Sequence, residues 1–197
     1  KEVEPFVKII QDSSLAESEK KEAREQINMV NKKVLAFQDR IIKEQPQTLT
    51  ARILKAHRPI QIPDPPKRND GSIDSTFQLK WYREHFFDNF DLADEAMLRM
   101  PRPIYKDKMN EYLDRLWAPQ ADTLTKALEN IISKAKKNRE TYKYAVLQAV
   151  LKFQAPEIMG LDKVFIHLND TYFANGEMDY WANAEMRKNM KDQADRL

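Results

Sequence analysis

Apolar residues recur at helical spacing through most of the chain. Between Glu17 and Glu44, Ala23, Ile27, Val30, Val34, Phe37 and Ile41 follow at intervals of four, three, four, three and four. That rhythm sets them on one face of a single long helix as a heptad seam. Glu22, Glu25, Lys32, Lys33 and Asp39 fall on its wetter faces, and the helix would run about 40 Å. The seam is shorter than the three or four heptads that define a coiled coil. Folding back on neighbouring helices of the same chain is therefore favoured over self-association, with Ile27, Val30, Val34, Phe37 and Ile41 as the candidate association seam. Upstream, Val3 to Ile10 predicts a short amphipathic helix, broken at Asp12, Ser13 and Ser14, whose side chains compete for the backbone. Pro46 stops the long helix, and a shorter one follows through Leu49, Ile53, Leu54 and Ala56. Residues 1–57 read as a helical arm or hairpin.

Residues 58–71 read as a linker. Arg58 to Pro66 contains four prolines, which favour extended polyproline geometry, and Asp70-Gly71 is a turn signal. Residues 72–197 then predict an α-helical domain. Ser72 or Asp74 caps a helix carrying Phe77, Trp81, Tyr82 and His85. Pro101 and Pro103 bracket a turn before a helix with Tyr105, Met109, Tyr112, Leu113, Leu116 and Trp117 on one face, closed by Pro119. Asp122 caps the next, whose stripe is Leu124, Ala127, Leu128, Ile131, Ile132 and Ala135. A helix through Tyr142, Ala145, Val146, Ala149, Val150 and Phe153 follows after a short connection, which makes the two antiparallel. Leu161, Phe165, Leu168 and Tyr172 mark another, and a weaker helix runs from about Asn183 to Leu197. No segment alternates strictly. The fold class is all-α: a long-helix arm or hairpin, then a bundle of antiparallel helical hairpins. Tetratricopeptide repeats are an architectural analogy only, because no fixed period and no Trp-x-x-Leu-Gly pattern occurs.

Composition narrows the chemistry. The 197 residues carry 33 Lys plus Arg against 31 Asp plus Glu, a net charge of +2, without the basic surplus of a nucleic-acid binder. With no cysteine, thiol catalysis, disulfides and cysteine-ligated metals are excluded from this polypeptide. Mean hydropathy is −0.73, and no run approaches the about 18 apolar residues of a membrane span. Gly71, Gly160 and Gly176 stand too far apart to build a phosphate loop. The chain opens on Lys1 with no signal-like segment, so it is expected to be a mature protein or a piece of a longer one.

The densest chemistry is Trp81-Tyr82-Arg83-Glu84-His85-Phe86-Phe87-Asp88. On a helix His85 and Asp88 face the same way and could ligate a metal or act as an acid/base pair. The favoured reading is a hydrogen bond between them inside an aromatic cluster. Trp81, Tyr82, Phe86, Phe87 and Phe90 point in several directions, as a core layer does, and an exposed ligand groove is second. Trp81, Tyr82, His85, Phe86, Phe87 and Asp88 are nevertheless the candidate interaction surface. His167 reads as a satisfied core or boundary histidine, and His57 as a cation at a helix C-terminus. No catalytic residue, cofactor site or metal site is expected.

Two stretches carry a family resemblance. Asp70-Gly71-Ser72-Ile73-Asp74-Ser75-Thr76-Phe77 leads into His85-Phe86-Phe87-Asp88-Asn89-Phe90-Asp91, and Ile158-Met159-Gly160-Leu161-Asp162-Lys163-Val164-Phe165-Ile166-His167-Leu168 precedes Tyr172. Together with the arm ending in Ala51-Arg52-Ile53-Leu54-Lys55-Ala56, they resemble the helical domain of unknown function that precedes the thioredoxin-like domain in cell-envelope proteins of Bacteroidetes-type bacteria. The resemblance implies a periplasmic or cell-envelope location and a Cys-x-x-Cys thioredoxin-like domain downstream, which this chain lacks. The expectation is a non-catalytic accessory module that positions or oligomerises the redox domain or contacts client proteins. Its partners would be its own thioredoxin-like domain, a second copy or clients, with no nucleic acid. The alternative is a free-standing domain that binds peptides or small ligands through the aromatic segment, and a metal-dependent enzyme at His85 and Asp88 comes third.

Overall fold

A computed structural model of the protein describes residues 3–67, 70–100 and 102–197. Lys1 and Glu2, Arg68 and Asn69 of the linker, and Pro101 lie outside the described residues. The described residues are all-α, with nine α-helices and no strand; Lys67 and Ile73 make one isolated bridge. No helix among them is long and apolar enough to cross a membrane. The chain divides into two compact units, Lys1–Arg58 and Pro59–Leu197.

In the first unit, α1 (Glu4–Gln11), α2 (Glu17–Glu44) and α3 (Leu49–Ala56) form the arm. Asp12 ends α1, and its carboxylate accepts from the Ser14 amide at 2.9 Å, the local competition that breaks a helix. Glu19 then reaches back to the Ala16 amide at 3.1 Å, half of a capping box. Phe6, Ile9 and Leu15 lie against the Glu19–Gln26 stretch of α2, so α1 covers its first turns. Thr48 caps α3 by accepting from the Ala51 amide, and Arg58, just past α3, donates to the Leu35 carbonyl and pairs with Asp39. Both short helices thus fold back on the long one. Ala23 alone of α2 is fully buried; Ile27, Val30 and Ile41 are half-buried, and Val34 and Phe37 are exposed.

The second unit contains α4 (Phe77–His85), a 3-10 turn (Glu95–Arg99), α5 (Ile104–Leu116), α6 (Ala121–Ala135), α7 (Arg139–Phe153), α8 (Asp162–Leu168), a π-turn (Asn169–Phe173) and α9 (Ala184–Ala194). Its centre is α6, α7 and α8, all in mutual contact, with Ile131, Val146, Val164, Phe165 and Leu168 completely buried. The α6–α7 connection is short because Asn138 caps α7, accepting from the Glu140 and Thr141 amides. The buried Thr141 hydroxyl donates back to the Ala135 carbonyl at 2.9 Å, so this buried donor in the tight turn is satisfied.

Two capping expectations are corrected. Asp122 does not cap α6; it lies inside the first turn, where its charge suits the helix dipole, and Gln120 holds the cap position. Neither Ser72 nor Asp74 caps α4. The carboxylates of Asp70 and Asp74 accept from the amides two residues on, at Ser72 and Thr76, and build successive turns that deliver the chain to Phe77.

Candidate functional site

The aromatic segment is split by the end of α4. Phe86 and Phe87 lie beyond it and are 2% and 7% exposed, packed edge-on to each other and against the Tyr112 ring of α5 at 5.3 and 4.8 Å. Phe90 packs on Tyr105, whose hydroxyl donates to the Leu92 carbonyl. These rings are core and offer no surface. Trp81, Tyr82 and His85 are half-buried, and Asp88 is exposed. The Trp81 ring stacks on His85 at 4.0 Å and its Nε1 donates to the Gln61 carbonyl. His85 Nδ1 pairs with Asp88 Oδ2 at 2.6 Å across the helix end. Among the described residues no three His, Asp or Glu side chains gather so as to hold a metal ion.

A second polar cluster joins α6, α7, α8 and the π-turn. Glu129 on α6 meets His167 Nε2 at 2.8 Å through one carboxylate oxygen and accepts from the Tyr172 hydroxyl at 2.7 Å through the other. Beside it, Glu177 accepts from Tyr142 at 2.6 Å and from Lys136 at 2.7 Å. The two tyrosine rings lie edge to face, 6.2 Å apart. On a regular α-helix, His167 and Tyr172 would diverge by about 140°. The π-turn, closed by the Ala174 amide on the Asn169 carbonyl, widens the spiral and lets both reach one carboxylate. Burial, then the bonded carboxylate, pushes the hydroxyls of Tyr172 and Tyr142 well above their ordinary range. Lys136 and then Tyr142 hold the Glu177 carboxyl below its own. The tyrosines therefore stay donors and the carboxylate stays ionised, which makes the cluster a clamp.

The clamp resembles a catalytic array only in its residue types. Thr171 Oγ1 lies 3.4 Å from His167, but on Nε2, the nitrogen that already faces Glu129. A nucleophilic relay needs the hydroxyl on one ring nitrogen and the carboxylate on the other. Of these residues the sequence singled out only His167 as partnered; Glu129, Tyr142 and Glu177 lie 35 to 43 positions from their partners, and no local spacing marks them. A groove of about 480 Å³ lies elsewhere in the unit, floored by Leu113, Trp117, Leu124, Phe153 and Leu161. The Lys152–Asp114 ion pair stands at it, at 2.7 Å.

Fold and contacts together define an all-α helical module with internally satisfied polar clusters. Residues 16–195 match the model of a family described as "Domain of unknown function (DUF5106)", and the chain belongs to that family. No curated protein and no solved structure matches the chain.

Proposed function

We propose that the chain is a non-catalytic helical interaction module, an accessory part of a cell-envelope thioredoxin-like protein that positions or oligomerises the redox domain or contacts its clients. The observation that carries this reading is the arm. Its 28-residue helix buries one residue completely, while Val34 and Phe37, in the middle of its apolar seam, stay open to solvent. A long helix holds its shape in water mainly by covering its apolar face, so a seam left open in mid-helix is a contact surface awaiting a protein. The thiol–disulfide context and the envelope location draw their support from the sequence motifs around Asp70–Asp91 and Ile158–Leu168.

The test is the size and thiol content of the native protein in its host's envelope fraction. An antibody to this chain is used with and without a maleimide-polymer gel shift. A species well above 23.3 kDa that shifts with maleimide is the expected result. A cysteine-free species near 23.3 kDa overturns the accessory role.

A further inference from the structure

The open stretch of the arm has a charge pattern that selects its partner. Phe37 is 54% exposed and Val34 46%. Lys33 and Arg40 stand four residues before and three after Phe37, the spacings that flank a residue on a helix surface. The Arg40 guanidinium lies over the Phe37 ring, 5.2 Å from its centroid. Lys33 and Arg40 lie on the same side of Phe37, whereas Lys32, Lys43 and Asp39, which Arg58 engages, fall on other faces of the helix, and Glu44 follows Arg40 by one turn. The apolar patch is therefore flanked along one edge by two cations.

We propose that this patch docks, in trans, an acidic amphipathic helix of a protein partner, with apolar side chains on Val34 and Phe37 and carboxylates against Lys33 and Arg40. The proposal rests on reading the arm as a protein-contact element, and it names what the arm takes. A second copy of this chain is the wrong occupant on charge. A two-fold contact centred on Phe37 is self-complementary by symmetry, so it would bring two Lys33 and two Arg40 side chains together, and like charges facing across an interface weaken it. An acidic helix instead gains on approach, since opposite charge steers the encounter, and it replaces water at both cations once docked.

The experiment uses the full chain and two fluorescein-labelled heptad peptides with the same leucine seam, one flanked by glutamates and the other by lysines. Anisotropy titration is expected to give about tenfold tighter binding of the glutamate peptide at low salt, with the advantage shrinking as salt rises. Lys33→Glu/Arg40→Glu reverses the preference, and Phe37→Ser abolishes binding, with circular dichroism confirming that each variant stays helical. Binding of neither peptide, equal binding of both, or a preference unmoved by the charge reversal overturns the proposal. So does a dimer in sedimentation equilibrium that Phe37→Ser dissolves, which would give the patch to a second copy. A large maleimide-reactive native species without any peptide preference removes this partner and leaves the accessory role standing. A cysteine-free native species with the preference intact does the reverse.

Discussion

Phe37 and Phe165 are the same side chain in the same kind of element, yet one is 54% exposed and the other 0%. The longest helix of the first unit and α6, which packs on the Phe165 helix α8, repeat the contrast. Of 28 residues α2 buries Ala23 alone, whereas α6, with 15, buries six and presses them on α7 and α8. Both helices carry an apolar stripe at helical period, so periodicity does not separate them. Coverage does. The long helix receives two helices of eight residues each, one towards either end, while α6 contacts α5, α7 and α8. An apolar stripe states that a face wants a cover; the length and number of neighbours decide whether the same chain supplies it.

The second unit should respond most strongly to the loss of a ring. Phe165→Ala should cost about 3–5 kcal/mol, because a fully buried ring leaves a cavity its neighbours fill only in part. All three tryptophans, Trp81, Trp117 and Trp181, lie in this unit. Urea unfolding followed by their fluorescence therefore reports it selectively, and the midpoint should fall steeply. A cost under about 1 kcal/mol would mean that the α6–α8 centre is no better packed than the arm.

A smaller effect separates clamp from core. The Glu177 carboxyl lies below its ordinary 4.5, held there first by Lys136 and then by Tyr142. A group whose folded value is depressed stabilises above its unfolded value and loses that contribution as the pH falls through the folded one. Tyr142 runs the other way: burial and then Glu177 raise its hydroxyl above 10.0, so its contribution is present below that pH and is lost as the pH climbs through the raised value. Glu177→Gln should accordingly lower the melting temperature slightly at neutral pH, with the gap to wild type closing well below pH 4.5. Absorbance of tyrosinate should show one tyrosine ionising earlier in the variant. A gap that persists in acid would mean that Glu177 acts through packing and not through its charge.

Much of the fold was legible along the chain because its punctuation is local. The expected span Glu17–Glu44 is the observed one, since Asp12–Ser14 breaks the chain on one side and Pro46 on the other. The antiparallel α6–α7 pair followed from a connection too short for any other course. Two things were not legible. The Glu129 and Glu177 clamp is assembled from residues on separate elements, and each member alone is an ordinary surface glutamate or a tyrosine on an apolar stripe. The end of α4 was also hidden: Phe86 and Phe87 continue the aromatic run without a proline or glycine, so the sequence did not mark where the helix stops and the core begins. Within the seam, periodicity placed Ile27, Val30, Val34, Phe37 and Ile41 on one face but could not tell the half-covered members from the open ones.

The arm should respond least to the loss of a ring. Phe37→Ala deletes as large a ring as Phe165→Ala does, from a side that water already reaches. No cavity forms, little apolar area changes environment, and alanine is the better helix former. What is lost is the contact with the Arg40 guanidinium, about 0.5–1 kcal/mol at an exposed site, partly offset by the gain in propensity. The net change in stability should stay within about 0.5 kcal/mol. It is read from helical circular dichroism in urea, with tryptophan fluorescence as the silent channel because the arm holds no tryptophan. A loss comparable to that of Phe165→Ala would show that the folded chain covers Phe37 itself, and the seam would then belong to the protein's own core and not to a partner.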